Sequence, residues 1–180
     1  KKKIKLIETG ISHGTINVLL NNKKFEVTSL RKDIKTDGRH AEVDFISDWE
    51  QDAARRDFTI NAIYSDLKGK LYDPVSGRVD LEKGVVRFIG DPNKRIQEDY
   101  LRILRYLRFY IQYSKKQFHD DNVIKSIKKN LEGLTRLSKE RIIDELFKMM
   151  KLNNFKILFE DEFCKFILLS VLPQLKQYNR

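Results

Sequence analysis

Apolar and polar positions follow two different rhythms along this chain, one short and alternating, the other helical. Residues 15–20 (TINVLL) are β-branched and apolar, Asn21 to Lys24 are polar, and 25–30 (FEVTSL) alternate in character, which predicts a β-hairpin. Residues 32–44 are polar around Asp37-Gly38 and predict a mobile loop. Ser47 and Glu50 stand at capping-box spacing and start a helix through about residue 56. Segments 71–74 and 85–89 are further strand candidates, around a polar turn that contains Gly77.

Beyond Gly90 the helical rhythm takes over. Asp91-Pro92 is a suitable entry, since proline loses nothing in a first helical turn. Apolar or aromatic residues at 96, 100, 101, 103, 104, 107 and 111 then keep a helical period to about Tyr113. Segments 120–131, 138–152 and 155–175 predict three more helices, with Ser138 as an N-cap and Gly133 as a stop signal. The expectation is an α+β protein in two parts: a short antiparallel or mixed sheet with helices over 1–90, and an all-helical part over 91–180.

Composition narrows the partners. Lys and Arg number 36 against 26 Asp and Glu, a formal charge of +10 that points toward a polyanion, although lysine-rich proteins of AT-rich genomes share such an excess. The single cysteine, Cys164, excludes an internal disulfide and suits a reducing compartment. No apolar run is long enough to span a bilayer, and no signal-peptide pattern follows Lys1-Lys2-Lys3, so a cytoplasmic protein with no membrane partner is expected. His13, His40 and His119 stand far apart without cysteine neighbours, which argues against zinc.

Two stretches carry candidate chemistry. In 55–62 (RRDFTINA), Arg55 and Arg56 offer forked donors to phosphate oxygens, and Asp57 offers an acceptor to a hydroxyl such as a ribose. Thr59 and Asn61 add polar groups inside an apolar stretch. The plainer reading is an arginine–aspartate pair closing a helix end. In 98–102 (EDYLR), Glu98 and Arg102 are four apart and Asp99 and Arg102 three apart, so each pair can meet on a helix surface. A carboxylate beside a guanidinium can imitate the edge of a nucleic-acid base. Arg102, Arg105 and Arg108 recur every third residue as a slanting basic ridge suited to phosphates. The plainer reading there is a solvated helix face. Gly10 and Gly14 make a poor phosphate loop, because no lysine–serine or lysine–threonine pair and no helix follows them.

Taken together, these segments resemble the class II tRNA nucleotidyltransferase (CCA-adding enzyme) and bacterial poly(A) polymerase family. The matching pieces are 9–15 against a TGxxHGT element, 25–31 against FEVTxxR, then 55–62, 71–109 and 137–146 (LSKERIIDEL), in the expected order across 7–150. The resemblance implies a partial nucleotidyltransferase head followed by a helical neck and the start of a body. It implies that Arg56 holds nucleotide phosphate, with Asp57 near the ribose and Asn61 in the same motif. It implies that Asp99 and Arg102 select the base of CTP or ATP, and that Arg105 and Arg108 support nucleotide binding. The 32–44 loop matches a flexible loop, and Glu140-Arg141 a structural neck motif.

One departure bears on activity. The family's catalytic magnesium ions (Mg2+) are held by an Asp-x-Asp strand, which the resemblance places ahead of Lys1. Glu26 fits the family's third acidic position, as a catalytic group acting on the 3′ hydroxyl or as an additional metal ligand. The implied function is template-independent addition of CMP and AMP to the 3′ end of tRNA or another RNA. The chain is expected to be an incomplete part of that enzyme, inactive alone, and either a fragment, a remnant, or the partner of a separate chain supplying the absent segment. Asp73-Pro74 and Gly90-Asp91-Pro92 favour CCA addition over poly(A) synthesis. The alternative from another class is a non-catalytic nucleotide- or RNA-binding fragment.

Overall fold

A computed structural model of the chain describes residues 5–7, 14–36, 41–115 and 118–178. It contains two compact units, Lys1–Arg55 and Arg56–Arg180. Packing therefore divides the chain well before the change in rhythm at Gly90, and residues 56–90 fold with the helices.

In the first unit, β1 (Lys5–Ile7), β2 (Thr15–Leu20) and β3 (Lys23–Thr28) form an antiparallel sheet in that order. Asn21 and Asn22 both take positive φ, 51° and 60°, the backbone twist that a two-residue hairpin turn needs and that asparagine tolerates. The expected hairpin thus forms with a tighter turn, because Lys23 and Lys24 join the second strand. The expected loop over 32–44 is instead a second hairpin, β4 (Arg31–Thr36) and β5 (Ala41–Phe45), with a register shift between Asp33 and Lys35. Its Asp37-Gly38 lies outside the described residues, as does Gly10. The sign of this hairpin was the alternation of Ala41, Val43 and Phe45 with Glu42 and Asp44, which polarity masks. Helix α1 (Trp49–Ala54) is capped by Asp48 rather than Ser47: the Asp48 carboxylate accepts from the Glu50 and Gln51 amides. Buried Asp52 closes its other end by accepting from Arg55 Nε at 2.8 Å and from the Arg31 amide at 3.3 Å. Arg55 therefore takes the plainer of the two roles its motif allowed.

The second unit opens with a 3₁₀ turn (Thr59–Asn61), a two-stranded ribbon of β6 (Tyr64–Ser65) and β7 (Leu71–Tyr72), and α2 (Gly77–Lys83). The expected polar turn at Gly77 is thus a helix start. Asp73 accepts from the Gly77 and Arg78 amides there, and the absence of a side chain on Gly77 lets it approach the Thr59 carbonyl, 2.1 Å from where a Cβ would stand. Of the expected strand at 85–89, a single bridge between Phe58 and Phe88 forms.

The helices follow: α3 (Pro92–Glu98), α4 (Leu101–Tyr113), α5 (Asp121–Asn130), a 3₁₀ turn (Leu131–Arg136), α6 (Lys139–Met150), α7 (Ile157–Glu160), α8 (Glu162–Val171) and a 3₁₀ turn (Pro173–Tyr178). Two expected helices are broken. The 96–113 helix stops at Asp99, whose extended backbone (φ −155°, ψ 107°) separates α3 from α4. The 155–175 helix splits at Asp161, whose carboxylate caps α8 through the Cys164 amide. Gly133 is not a stop either. It lies within a 3₁₀ turn against the Tyr100 ring, where a Cβ would come within 2.0 Å.

Helix α4 is the centre of this unit. Leu101, Ile103, Leu104, Tyr106, Leu107, Phe109, Tyr110 and Ile111 are all buried. Each fully buried aliphatic side chain contributes about 1.5–3 kcal/mol. Phe58 and Phe88, with ring centroids 4.7 Å apart, pack on the same core, Phe58 against Phe109 at 5.1 Å. What burial leaves on α4 is a polar stripe at 102, 105 and 108.

Candidate functional site

The stripe does not present three bare cations. Each guanidinium has a carboxylate: Arg102 Nη1 donates to Glu98 Oε2 at 2.5 Å, Arg105 Nε to Asp57 Oδ2 at 2.5 Å, and Arg108 Nε to Glu145 Oε2 at 2.7 Å. The expected basic ridge is a ladder of ion pairs, because guanidiniums packed beside a core need anions to offset lost hydration. Arg105 and Arg108 also lie over the Phe109 ring, at 5.6 and 4.6 Å.

The break at Asp99 separates the two residues expected to act as a pair. Asp99 Oδ1 accepts from the Leu101 amide, Oδ2 accepts from Arg141 Nη2 at 2.8 Å, and the Asp99 carbonyl accepts from the Arg102 amide. The Asp99 carboxylate thus caps α4 and ties it to α6. Arg102 turns the other way, to Glu98 and the Arg95 carbonyl at 2.7 Å. Both still sit at one helix junction, joined by the bond from the Arg102 amide to the Asp99 carbonyl.

This junction is tied to the 56–62 motif by Arg95. Its Nη2 donates to the Arg56 carbonyl at 2.6 Å while its Nη1 donates to Glu98 at 2.5 Å, the carboxylate that Arg102 shares. Arg56 is itself held by the Tyr64 hydroxyl at 3.1 Å, by the Asn61 carbonyl at 3.1 Å and over the Tyr64 ring. Asp57 is 5% exposed and accepts from Arg105, from Asn61 Nδ2 at 3.0 Å and from the Phe58 amide at 3.0 Å. Burial pushes its carboxyl up, but the charge and hydrogen bond of Arg105 outweigh it and leave Asp57 below the ordinary carboxylate range. Burial likewise opposes the Arg105 charge, and Asp57 restores it and raises Arg105. Arg56, Arg95, Arg102, Arg105 and Arg141 are five guanidiniums against the three carboxylates of Asp57, Glu98 and Asp99. The surplus of two positive charges suits a phosphate ligand.

Of the expected site residues, Arg56, Asp57, Asn61, Asp99, Arg102 and Arg105 belong to this one network. Arg108 is directed to Glu145, on α6, and Glu26 lies in the other unit, exposed on β3 with Asn17 as its cross-strand partner. Arg95, Tyr64 and Glu145 were not anticipated. Glu145 carried a signal: it is a charged residue on the inner face of α6, beside Met149, and is only 1% exposed. An acid there requires partners, which Arg108 and Lys148 supply.

Among the described residues, the group of three potential metal ligands is His119, Asp161 and Cys164, which folding brings together despite their separation in sequence. Hydrogen bonds already occupy both ring nitrogens: Tyr106 Oη lies 2.8 Å from Nδ1, and Asp161 Oδ1 lies 3.0 Å from Nε2. The ring stacks on Tyr110 at 4.0 Å. Burial holds His119 below its ordinary value and lifts the Cys164 thiol far above its own, while the hydrogen bonds of the Cys164 amide and His119 outweigh burial and hold the Asp161 carboxyl low, so the cluster pins α4 to α8 around one carboxylate.

The depressed carboxylates predict an acid-labile fold. Burial raises Asp57, Glu145 and Asp161, but their hydrogen-bonded and charged partners lower each of them overall. An acid with a native pKa below its unfolded one contributes stability above the unfolded value, and that stability drains as pH falls through the native value. Urea midpoints are expected to be level near neutrality and to fall below about pH 4, where unfolded carboxylates begin to take up protons. A midpoint that holds steady from pH 5 to pH 3 contradicts this.

Comparison with known proteins gives consistent matches. The model of the family described as "Poly A polymerase head domain" matches residues 1–87, and that described as "Probable RNA and SrmB-binding site of polymerase A" matches residues 120–178. The chain is 42% identical over 176 residues to human "CCA tRNA nucleotidyltransferase 1, mitochondrial", covering 95% of this chain and 41% of the relative. It is 41% identical over 158 residues to the "CCA-adding enzyme" of Staphylococcus epidermidis, covering 87% of this chain and 39% of the relative. The chain thus spans about two fifths of the length of these relatives. Among solved structures, the Bacillus stearothermophilus CCA-adding enzyme in complex with CTP superimposes with a TM-score of 0.71 at 31% identity, over 93% of this chain and 38% of that one. No helix among the described residues is long and apolar enough to cross a membrane.

Proposed function

Since the chain belongs to the family of CCA-adding tRNA nucleotidyltransferases and poly(A) polymerases, we propose that it supplies the nucleotide-binding part of a template-independent enzyme that adds CMP and AMP, from CTP and ATP, to the 3′ end of tRNA. The observation that carries this reading is the double tie of the 56–62 motif to the α3–α4 junction, through Arg95 to the Arg56 carbonyl and through Arg105 to Asp57. It brings phosphate-type donors and base-edge groups into one network with surplus positive charge.

In this reading Arg56 and Arg105 bind the triphosphate, and Asp99 and Arg102 offer an acceptor and donors to the base edge. Asp57 and Asn61 act as positioning residues, since the Asp57 carboxylate is committed to Arg105 and Asn61 and has little left for a ribose. Arg108, paired with Glu145, supports the α4–α6 contact on which Arg105 rests. In the transfer itself the RNA 3′ oxygen bonds the α-phosphorus, the α–β bridging bond breaks, and pyrophosphate leaves. Such chemistry asks of the protein chiefly positioning and charge neutralisation. Glu26, in the other unit, is the candidate acceptor for the 3′-hydroxyl proton.

The described residues offer no set of carboxylates that fits magnesium. It takes near-octahedral oxygen ligands, and the sole described group of three candidate ligands is the hydrogen-bonded His119 cluster. No step is assigned to a metal on this chain. CCA addition is favoured over poly(A) synthesis because the similar full-length proteins carry that name.

Isothermal titration of the chain with each of CTP, ATP, GTP and UTP tests the proposal. CTP and ATP are expected to bind at least about tenfold more tightly than GTP and UTP, a difference of about 1.4 kcal/mol. Equal affinity for all four leaves a phosphate site without base selection and sinks the assignment.

A further inference from the structure

A second concavity in the helical unit shares no residue with the network around Arg56. It encloses about 420 Å³, within the usual range for ligand sites, and lies between the 85–90 segment, Pro92 at the start of α3, Tyr106 of α4 and residues 118–123. Its floor is apolar: Val86, Phe88, Tyr106 and Val123 are each less than a tenth exposed. Its rim is polar, with Arg87, Asp120 and Asn122. Asp120 spends Oδ1 on the Asn122 and Val123 amides at the head of α5. The Arg87 guanidinium is anchored to buried Asp80 yet its side chain stays 61% exposed.

Phe118 distinguishes this concavity from a packing defect. It stands on the rim 69% exposed, and among the described residues it makes no ring contact, whereas neighbouring Phe163, Tyr110 and His119 all stack or pack edge to face. An exposed ring over an apolar hollow, flanked by a cation and by amide and carboxylate groups, is the arrangement that receives a planar heterocycle with a phosphate attached. Aromatic side chains recognise unstacked RNA bases in this way, while guanidiniums take the backbone. The Asp120–Val123 wall is also where the match to the RNA-binding family model begins, at residue 120.

We propose that this hollow docks one unpaired base of the bound RNA, away from the site of the incoming nucleotide, with Phe118 as stacking platform and Arg87 holding the adjoining phosphate. The proposal rests on the reading of the protein as a tRNA-handling nucleotidyltransferase. Phe118 then helps set the register of the RNA while Arg56 and Arg102 deal with CTP.

Binding of a fluorescein-labelled tRNA lacking its 3′-terminal nucleotides, followed by anisotropy, tests the pocket. Phe118→Ala is expected to weaken RNA binding about tenfold, Phe118→Tyr to leave it within about twofold, and neither to change CTP affinity. Both variants should keep the wild-type circular dichroism, because the ring is exposed. A companion RNA whose unpaired nucleotides are abasic should bind wild type and Phe118→Ala alike, since the lost contact is then already absent. RNA affinity unaffected by Phe118→Ala, or a penalty that persists on abasic RNA, overturns base docking. Wild type that binds CTP but no RNA also overturns it. RNA binding that depends on Phe118 in a chain indifferent to CTP upholds the pocket and sinks the nucleotide assignment instead.

Discussion

Arg102→Ala is expected to lower CTP and ATP affinity by about ten- to a hundredfold and to erase preference over GTP and UTP, since a hydrogen bond from a charged donor is worth about 1.5–3 kcal/mol. The fold should survive the change. Glu98 keeps Arg95 as a partner at 2.5 Å, and the Asp99 backbone and carboxylate still cap α4 through the Arg102 and Leu101 amides. Loss of Arg102 also removes its bond to the Arg95 carbonyl, which costs about 1 kcal/mol of stability. Arg102→Lys retains the charge but not the planar fork, and should restore phosphate-driven affinity more than base selection. Four-nucleotide titrations of both variants separate the two effects. Affinity and preference in Arg102→Ala within twofold of wild type would mean that Arg102 only bridges α3 and α4.

The second large effect is on stability. Asp57→Ala strips the buried partner from Arg105, whose side chain is 27% exposed, and leaves Asn61 Nδ2 and the Phe58 amide without their acceptor. Removing one member of a buried, hydrogen-bonded pair costs about 3–5 kcal/mol, against a total of about 5–15 kcal/mol for a typical domain. A fall in Tm of about 10–20 °C is expected. The cost comes chiefly from the stranded Arg105 charge, so Asp57→Ala/Arg105→Leu should recover part of it while leaving nucleotide binding impaired. Differential scanning calorimetry reads both. A single-variant shift below about 3 °C, or a double variant that falls by the sum of the two singles, would mean that Asp57 and Arg105 are not coupled.

Much of the fold was legible wherever one local rule acted alone. The Asn21-Asn22 turn, the Asp91-Pro92 entry and the start of α5 at Asp120 depend on a few adjacent residues and came out close to expectation. The errors share a cause. A helical period runs unbroken through 96–113, yet the chain breaks at Asp99, because periodicity reports which positions are apolar and not whether a side chain will compete with the helix for its own backbone donors. The same competition by Asp161 split the last long helix. The β4–β5 hairpin escaped notice for the opposite reason: its residues are polar enough to read as loop, and its pairing is a backbone matter.

The site divides along the same line. By itself the sequence determined the family, since 55–62, 71–109 and 137–146 match jointly in order and spacing where no one of them would suffice, and it marked the apolar positions of α4 that leave 102, 105 and 108 on one stripe. Only the tertiary structure decided the partners: Glu98 rather than Asp99 for Arg102, Asp57 from 48 residues away for Arg105, and Glu145 from 37 residues away for Arg108. The physical reason is that a charge beside a core must be matched by whichever opposite charge the packing brings within reach, and that distance in space is set by how helices stack, not by separation along the chain.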